Sequence, residues 1–297
     1  MRKILIVVSE WGFWGEELVG PLGVFDERGY ESTICTPQGK RPHALPPSMD
    51  ANFMDPPLGK KVTSEDMARR TREINSPENN RLASPVNLSK WFPERPYWSG
   101  ADDNGEVNNR ELVLRMWENY YKARSSAQEE ANGFDALVLV GGSGSMVDMV
   151  NNYRVQDLVL GFYDRDKPVV GICYGVACLA QARDYNIRKS IIWGKHVTGH
   201  PIEYDYRNNT GVLIPGTNEL MNDQHNQPVN FGPAFYTLEY ILRDATGPDG
   251  QFHGNVGEAI SVIVDYPFIT GRSIQDSETS GRKLVEVLEN DLKRYGW

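Results

Sequence analysis

The feature that most constrains the fold of this chain is a series of short, unbroken apolar runs that end in turn residues and pass into helical spacing. KILIVV starts at Lys3, ALVLV leads into Gly141-Gly142, and VVGI leads into Cys173. A strand that is apolar at every position, rather than at every second one, is buried on both faces, as in a parallel sheet covered by helices. After the first run, Leu18, Val19, Leu22 and Phe25 recur at helical spacing, and Gly29 supplies the stop. YESTICT is the next strand, so the first fifty residues form one right-handed crossover unit. The alternation resumes with FDALVLVGG, a helix over about 155–164, the strand PVVGIC and a helix in YGVACLAQARD. EAISVIVDY, the short strand FITG and a helix from about Asp276 to Arg294 complete it. The expected fold class is α/β: a doubly wound, mostly parallel sheet in a three-layer sandwich, one domain over residues 1–297.

Residues 51–132 interrupt this rhythm. They are rich in Asn, Arg, Glu and Pro and carry the aromatic residues Trp91, Phe92, Tyr97 and Trp98. Near their end, Leu112, Met116 and Tyr120 run beside Val113, Trp117 and Tyr121, two adjacent rows that predict one broad apolar stripe docking a long helix on the core. A helical or irregular insertion of this size is expected to cap the site or to make a subunit contact.

Composition excludes some functions. The net charge of −9, from 40 acidic and 31 basic residues, argues against a track for nucleic-acid phosphates. No apolar run approaches the length of a membrane span, and the run after Lys3 is too short for a signal-peptide core. The cysteines are Cys35, Cys173 and Cys178, an odd number without metal-ligand spacing, which predicts a reducing, cytoplasmic setting with no disulfide framework, metal or cofactor. Cys35 and Cys178 read as core residues.

Cys173 reads otherwise. It stands where a strand passes into a helix, in G-I-C-Y-G, with Gly171 and Gly175 two residues away on either side. Small neighbours allow the sharp turn of a nucleophile elbow, and ligands in open α/β sheets bind beyond the carboxyl ends of the strands. A thiol at a helix N-terminus is expected to have its pKa lowered toward the thiolate.

Four motifs, taken in order, resemble the ThiJ/PfpI superfamily, whose fold is the flavodoxin-like sandwich of class I glutamine amidotransferases. They are E-E-L-V-G-P after the first strand, LVGGSGS, the cysteine elbow, and FITGRSIQDS before the last helix. The resemblance implies that Glu17, four residues before Pro21, hydrogen-bonds the cysteine. Glu16 satisfies the residues equally well, and only the family's spacing to Pro21 selects Glu17. It implies as well that Gly141 and Gly142 form the turn that offers backbone N–H groups near the thiol. A carboxyl beside a thiolate is better kept protonated, so Glu17 reads as a hydrogen-bond donor and general acid/base. Backbone N–H groups of Gly142 and Tyr174 suit an oxyanion site, although Gly141-Gly142 reads equally as a plain strand-end turn.

The chain also departs from the family. Branches that act as chaperones, glyoxalases or proteases place histidine after the cysteine; here that residue is Tyr174, so a local Cys-His pair is absent. Nor is there an amidotransferase-like H-x-E near the end, where the histidine is His253. His200, in GKHVTGHPIEYDY, matches a site-adjacent His-Pro of some members, and reads equally as a satisfied loop histidine. His196, Glu203 and Asp205 crowd the same stretch, and His225 has no role. Trp11, Phe13 and Trp14 belong at the strand-end rim, where they wall the pocket or pack on the insertion. The expected function is cysteine-dependent addition of water to, or rearrangement of, a small carbonyl-like or nitrile-like substrate, as the resemblance to glyoxalase, deglycase and hydratase members implies. Small-amide hydrolysis, or a chaperone or redox sensor oxidised at Cys173, are the alternatives. Homodimerisation is implied by the family alone.

Overall fold

The computed structural model describes residues 1–55, 57–92, 109–184, 186–205 and 237–293. Tyr97, Trp98 and His225 lie outside them, as does the expected end of the last helix at Arg294. Seven strands make one sheet: β1 (Lys3–Val7), β2 (Glu31–Thr36), β3 (Val86–Asn87), β4 (Ala136–Leu139), β5 (Val169–Ile172), β6 (Val262–Asp265) and β7 (Phe268–Gly271). Their order across the sheet is β6-β7-β5-β4-β1-β2-β3, and every pairing is parallel except β6 with β7. The unbroken apolar runs follow from this placement. Ile4 to Val7, Ala136 to Leu139 and Val169 to Ile172 are buried throughout, because helices cover both faces.

The longer helices are α1 (Gly15–Glu27), α2 (Glu65–Asn75), α3 (Asn109–Asn132), α4 (Tyr153–Asp164), α5 (Ala177–Gln181), α6 (Leu238–Thr246) and α7 (Ser277–Glu289). One layer packs α1 against α7 and α2, and the other packs α4 against α3 and α5. The central sandwich therefore has the architecture expected, mostly parallel and covered on both sides.

Three local expectations need correction. The stripe on α3 is not the main docking face: Val113, Met116 and Tyr120 are half-buried, Trp117 and Tyr121 are 48% and 54% exposed, and the Leu112 side chain lies outside the described residues. The helix docks through Ala123, Ala127 and Ala131, all buried. A Cβ on Gly161 of α4 would sit 2.4 Å from the Ala127 carbonyl oxygen, so small residues bring the two backbones close together. Aromatic periodicity draws attention to the wrong half of the helix. The helix expected through Asp184 stops at Gln181, because Arg183–Asp184 pairs with Lys189–Ser190 as a hairpin. Residues 51–132 are only partly an insertion on the sandwich, since they supply β3, which pairs with β2 at the edge of the sheet.

Candidate active site

Cys173 follows β5 directly and opens a 3-10 turn, Cys173–Val176, that continues into α5. Its φ is +52°, a left-handed conformation that a residue with a Cβ adopts only where the surroundings enforce it. The elbow read from G-I-C-Y-G is present, and the thiol is 3% exposed. Cys35 and Cys178 are fully buried in the core.

Glu17, in the first turn of α1, is fully buried with its carboxyl against the Cys173 thiol and the Gly141 backbone N–H. Neither carboxyl oxygen closes a hydrogen bond of full geometry. A Cβ at Gly141 would lie 2.4 Å from Glu17 Oε2, so glycine at this position is what admits the carboxyl. Burial pushes the Glu17 pKa well above the carboxylate range, against the lowering effect of Cys173, and so favours the protonated form. Burial, followed by Glu17, likewise pushes the Cys173 thiol up. The thiolate expected from the helix N-terminus is not the resting state: a 3-10 turn and a five-residue helix offer a short dipole, and desolvation outweighs it.

The histidine missing after Cys173 arrives from elsewhere. His200 Nδ1 lies 3.4 Å from Cys173 Sγ across 27 residues of sequence, and His200 Nε2 lies 3.5 Å from Asp205 Oδ1. Tyr174 Oη donates a hydrogen bond to the same Asp205 Oδ1, and its ring lies 4.9 Å from the imidazole, centroid to centroid. Tyr174 thus positions the histidine's partner where other members of the family place the histidine itself. The segment before His200 is anchored by the parallel pairing of His196–Val197 with Gln251–Phe252. The Thr198 N–H donates to Thr270 Oγ1 at 2.9 Å, and the Thr198 hydroxyl donates to the His253 carbonyl at 2.6 Å. Burial lowers the His200 pKa to about 4, with the Tyr204 backbone pulling it the other way. Burial raises that of Asp205 to about 7, against the Tyr174 hydrogen bond. At rest the site holds a neutral thiol beside a neutral imidazole whose Nε2 faces Asp205.

These groups lie at a cavity of about 390 Å³. Trp14, Gly142, Ser143 and Tyr174 line it from the strand-end loops, and Tyr204 and Ile274 from the C-terminal part of the chain. Leu45, Pro46 and Pro47 form another wall, placed there because residues 43–45 run beside the WGFWG loop. The Phe13 N–H donates to the His43 carbonyl, and the Leu45 N–H to that of Phe13. Asp55 and Pro57 complete the lining from the 51–132 segment. The Tyr174 backbone N–H faces the thiol, and Gly142 borders the cavity.

Of the aromatic rim, only Trp14 reaches the cavity, where its ring lies 6.3 Å from that of Phe53; Phe13 is in the core, and Trp11 is 71% exposed. His196 pairs with His253, Nδ1 to Nε2 at 2.8 Å, and neither they nor Glu203 line the cavity. Among the described residues, no three His, Cys, Asp or Glu side chains group as a metal site, and no helix is long and apolar enough to cross a membrane. Sequence reasoning misses Pro46-Pro47, whose pairing in HALPPSMD is the only local signal, and the fully buried Arg272. Arg272 donates to the Glu258 carbonyl at 2.9 Å and stands over the Tyr204 ring, 5.5 Å from its centroid.

A three-layer α/β sandwich with an elbow cysteine beside a buried glutamate defines the class I glutamine amidotransferase-like type of protein. Within that type, a family model described as ThiJ/PfpI family-like matches residues 8–195, and the chain belongs to that family. Glu17, Gly141, Gly142 and Cys173 fall inside the match; His200 and Asp205 lie beyond it. Glutamine amidotransferase-like class 1 domain-containing protein 1 of Danio rerio is 22% identical over 194 residues, which are 65% of this chain and 78% of that protein. Among solved structures, glyoxalase III of Candida albicans superposes with a TM-score of 0.62 at 15% identity, covering 96% of both chains. The Rapid Encystment Protein 24 kDa of Francisella tularensis gives 0.53 at 20% identity, covering 97% of this chain and 99% of its own. Both likenesses concern the fold.

Proposed function

We propose that this protein is an enzyme in which Cys173 adds to the electrophilic carbon of a small carbonyl-type substrate. The observation that carries this reading is the 3.4 Å approach of His200 Nδ1 to the elbow thiol, with Asp205 behind the ring and the buried carboxyl of Glu17 against the same sulfur. A neutral thiol is a weak nucleophile, so the S–H proton passes to His200 Nδ1 as the S–C bond forms. Asp205 holds the ring by its Nε2–H and stabilises the imidazolium that results. Glu17 gives its proton to the oxygen that develops charge, and the N–H groups of Tyr174 and Gly142 support that oxygen.

Two proton-moving groups at one sulfur suit chemistry in which a proton leaves one atom and returns to another. With an aldehyde the first product is a hemithioacetal. From a 2-oxoaldehyde, moving the proton from the aldehyde carbon to the neighbouring carbon gives a thioester, which water cleaves to a 2-hydroxy acid and free Cys173. That is glyoxalase-type chemistry, and the fold likeness to a glyoxalase III is consistent with it. Amide hydrolysis is the second reading, favoured by the Cys173–His200–Asp205 alignment, which also suits protonation of a leaving amine.

The test is turnover of methylglyoxal, a nitrile and isonitrile set and a small-amide set, read as 2-hydroxy acid, hydration product and ammonia. Cys173→Ser is expected to abolish turnover, and Glu17→Gln and His200→Ala to lower it by about 10²–10⁴-fold. Full turnover by Cys173→Ser on the substrate that wild type consumes would overturn the proposal.

A further inference from the structure

We propose that Asp55 is the recognition group of this cavity, and that it selects substrates carrying a protonated amine beside the reacting carbon. The proposal rests on the reading of the cavity as the Cys173 active site.

Asp55 is delivered to the cavity by a hairpin, Met54–Asp55 against Lys60–Lys61, outside the central sheet. Its backbone and one carboxylate oxygen are fixed there: Oδ1 accepts from the Leu58 N–H at 2.9 Å, and the Asp55 carbonyl accepts from the Gly59 N–H at 2.7 Å. Oδ2 accepts no hydrogen bond from any described residue; Lys60, the cross-strand partner of Asp55, is exposed to solvent, and its charge offsets part of the burial that raises the Asp55 pKa. A carboxylate oxygen is thus held at the cavity wall without a hydrogen-bond donor among the described residues.

The rest of the lining makes that oxygen selective. Among the described residues, no Lys or Arg side chain lines the cavity. His200 is neutral, and the guanidinium of Arg272, behind the wall, is committed to backbone carbonyls and to Asp276, 3.6 Å from its Nε. Fully buried Glu17 also faces the space, with both oxygens short of a hydrogen bond. An anionic substrate would lose its hydration at a wall that offers it no cation among the described residues, whereas a cation would gain Asp55 as a partner in a medium of reduced dielectric. Trp14 and Tyr204 add aromatic rings to the lining, and Leu45, Pro46 and Ile274 suit an apolar body.

The test uses three methanethiosulfonates with one leaving group and different tails: ethylammonium, methyl and ethylsulfonate. In each reaction the Cys173 sulfur attacks the sulfenyl sulfur, a disulfide forms and methanesulfinate leaves. Labelling rates at Cys173 are read by intact mass and peptide mapping, normalised to those of 2-mercaptoethanol. Wild type is expected to prefer the ammonium over the sulfonate by about tenfold or more, from pairing of one charge in a partly desolvated site. Asp55→Asn should lower that preference about tenfold with the methyl rate held, Asp55→Glu should retain it, and Asp66→Asn, an exposed carboxylate outside the cavity, should leave it intact. An unchanged preference in Asp55→Asn, or an equal loss in Asp66→Asn, would overturn the assignment. Labelling needs no turnover, so the two proposals separate. Charge selectivity without any carbonyl turnover would sink the reaction alone, and turnover indifferent to Asp55 would sink the recognition site alone.

Discussion

Replacing Glu16 by Gln separates the two adjacent carboxyls that sequence alone leaves equivalent. Glu16 is 5% exposed, and its carboxyl reaches the Ser64 backbone and the Trp14 indole at the contact between α1 and the 51–132 segment. Burial raises its pKa from 4.5 to about 8. A carboxyl whose folded pKa lies above its unfolded value contributes most favourably below pH 4.5, and that contribution is lost as pH rises toward 8. A tenfold change in proton affinity is worth about 1.4 kcal/mol. Keeping Glu16 buried therefore costs under about 1 kcal/mol at pH 5, about 3 kcal/mol at pH 7, and at most about 5 kcal/mol above pH 8. Glu16→Gln keeps the shape and an acceptor oxygen and removes the ionisation. Its stability advantage in urea unfolding should grow by about 1 kcal/mol for each pH unit between about 5 and 7.5, then level off. Turnover should stay near that of wild type, in contrast to Glu17→Gln. An advantage that does not vary with pH, or a loss of activity equal to that of Glu17→Gln, would refute this assignment.

Asp205→Asn should lower kcat/KM by about 10²–10⁴-fold, because the imidazolium loses its counter-charge. The wild-type profile should rise as Asp205 ionises near its pKa of about 7, and the variant should lose that limb in a pH-rate series. Tyr174→Phe removes one hydrogen bond to Asp205 and should cost about tenfold in kcat with KM little changed. Gly161→Ala places a Cβ 2.4 Å from the Ala127 carbonyl oxygen, and thermal unfolding should report a loss of about 1–3 kcal/mol.

The core strands are legible in the sequence because burial on both faces leaves a continuous apolar signature, seen in Ile4 to Val7 and Ala136 to Leu139. The elbow is legible for a local reason: a positive φ at Cys173 and close packing around it need small neighbours in adjacent positions. Of the Cys173–His200–Asp205 alignment, His200 is legible only through the resemblance of its His-Pro to other members of the family, and Asp205 is not singled out from its neighbours. The segment is positioned by the strand pairing of His196–Val197 with Gln251–Phe252, which no local pattern encodes. In sequence Tyr174 reads as the loss of a base, although its phenol holds the acid that orients one. The Pro46-Pro47 wall and Asp55 are set by long-range packing on the WGFWG loop and by a two-residue hairpin, both too short to show a period. The direction of the thiol's pKa escapes the sequence because helix-end electrostatics can be read from a motif, whereas burial beside Glu17 requires the assembled fold.

The measurement closest to the central claim is the rate and position of covalent capture by a reactive aldehyde and amide panel, followed by intact mass and peptide mapping in wild type and His200→Ala. The expected result is a single adduct on Cys173, formed at least about tenfold more slowly in the variant, because the S–H proton has lost its acceptor. Capture at Cys35 or Cys178, or a Cys173 rate indifferent to His200, would contradict the account.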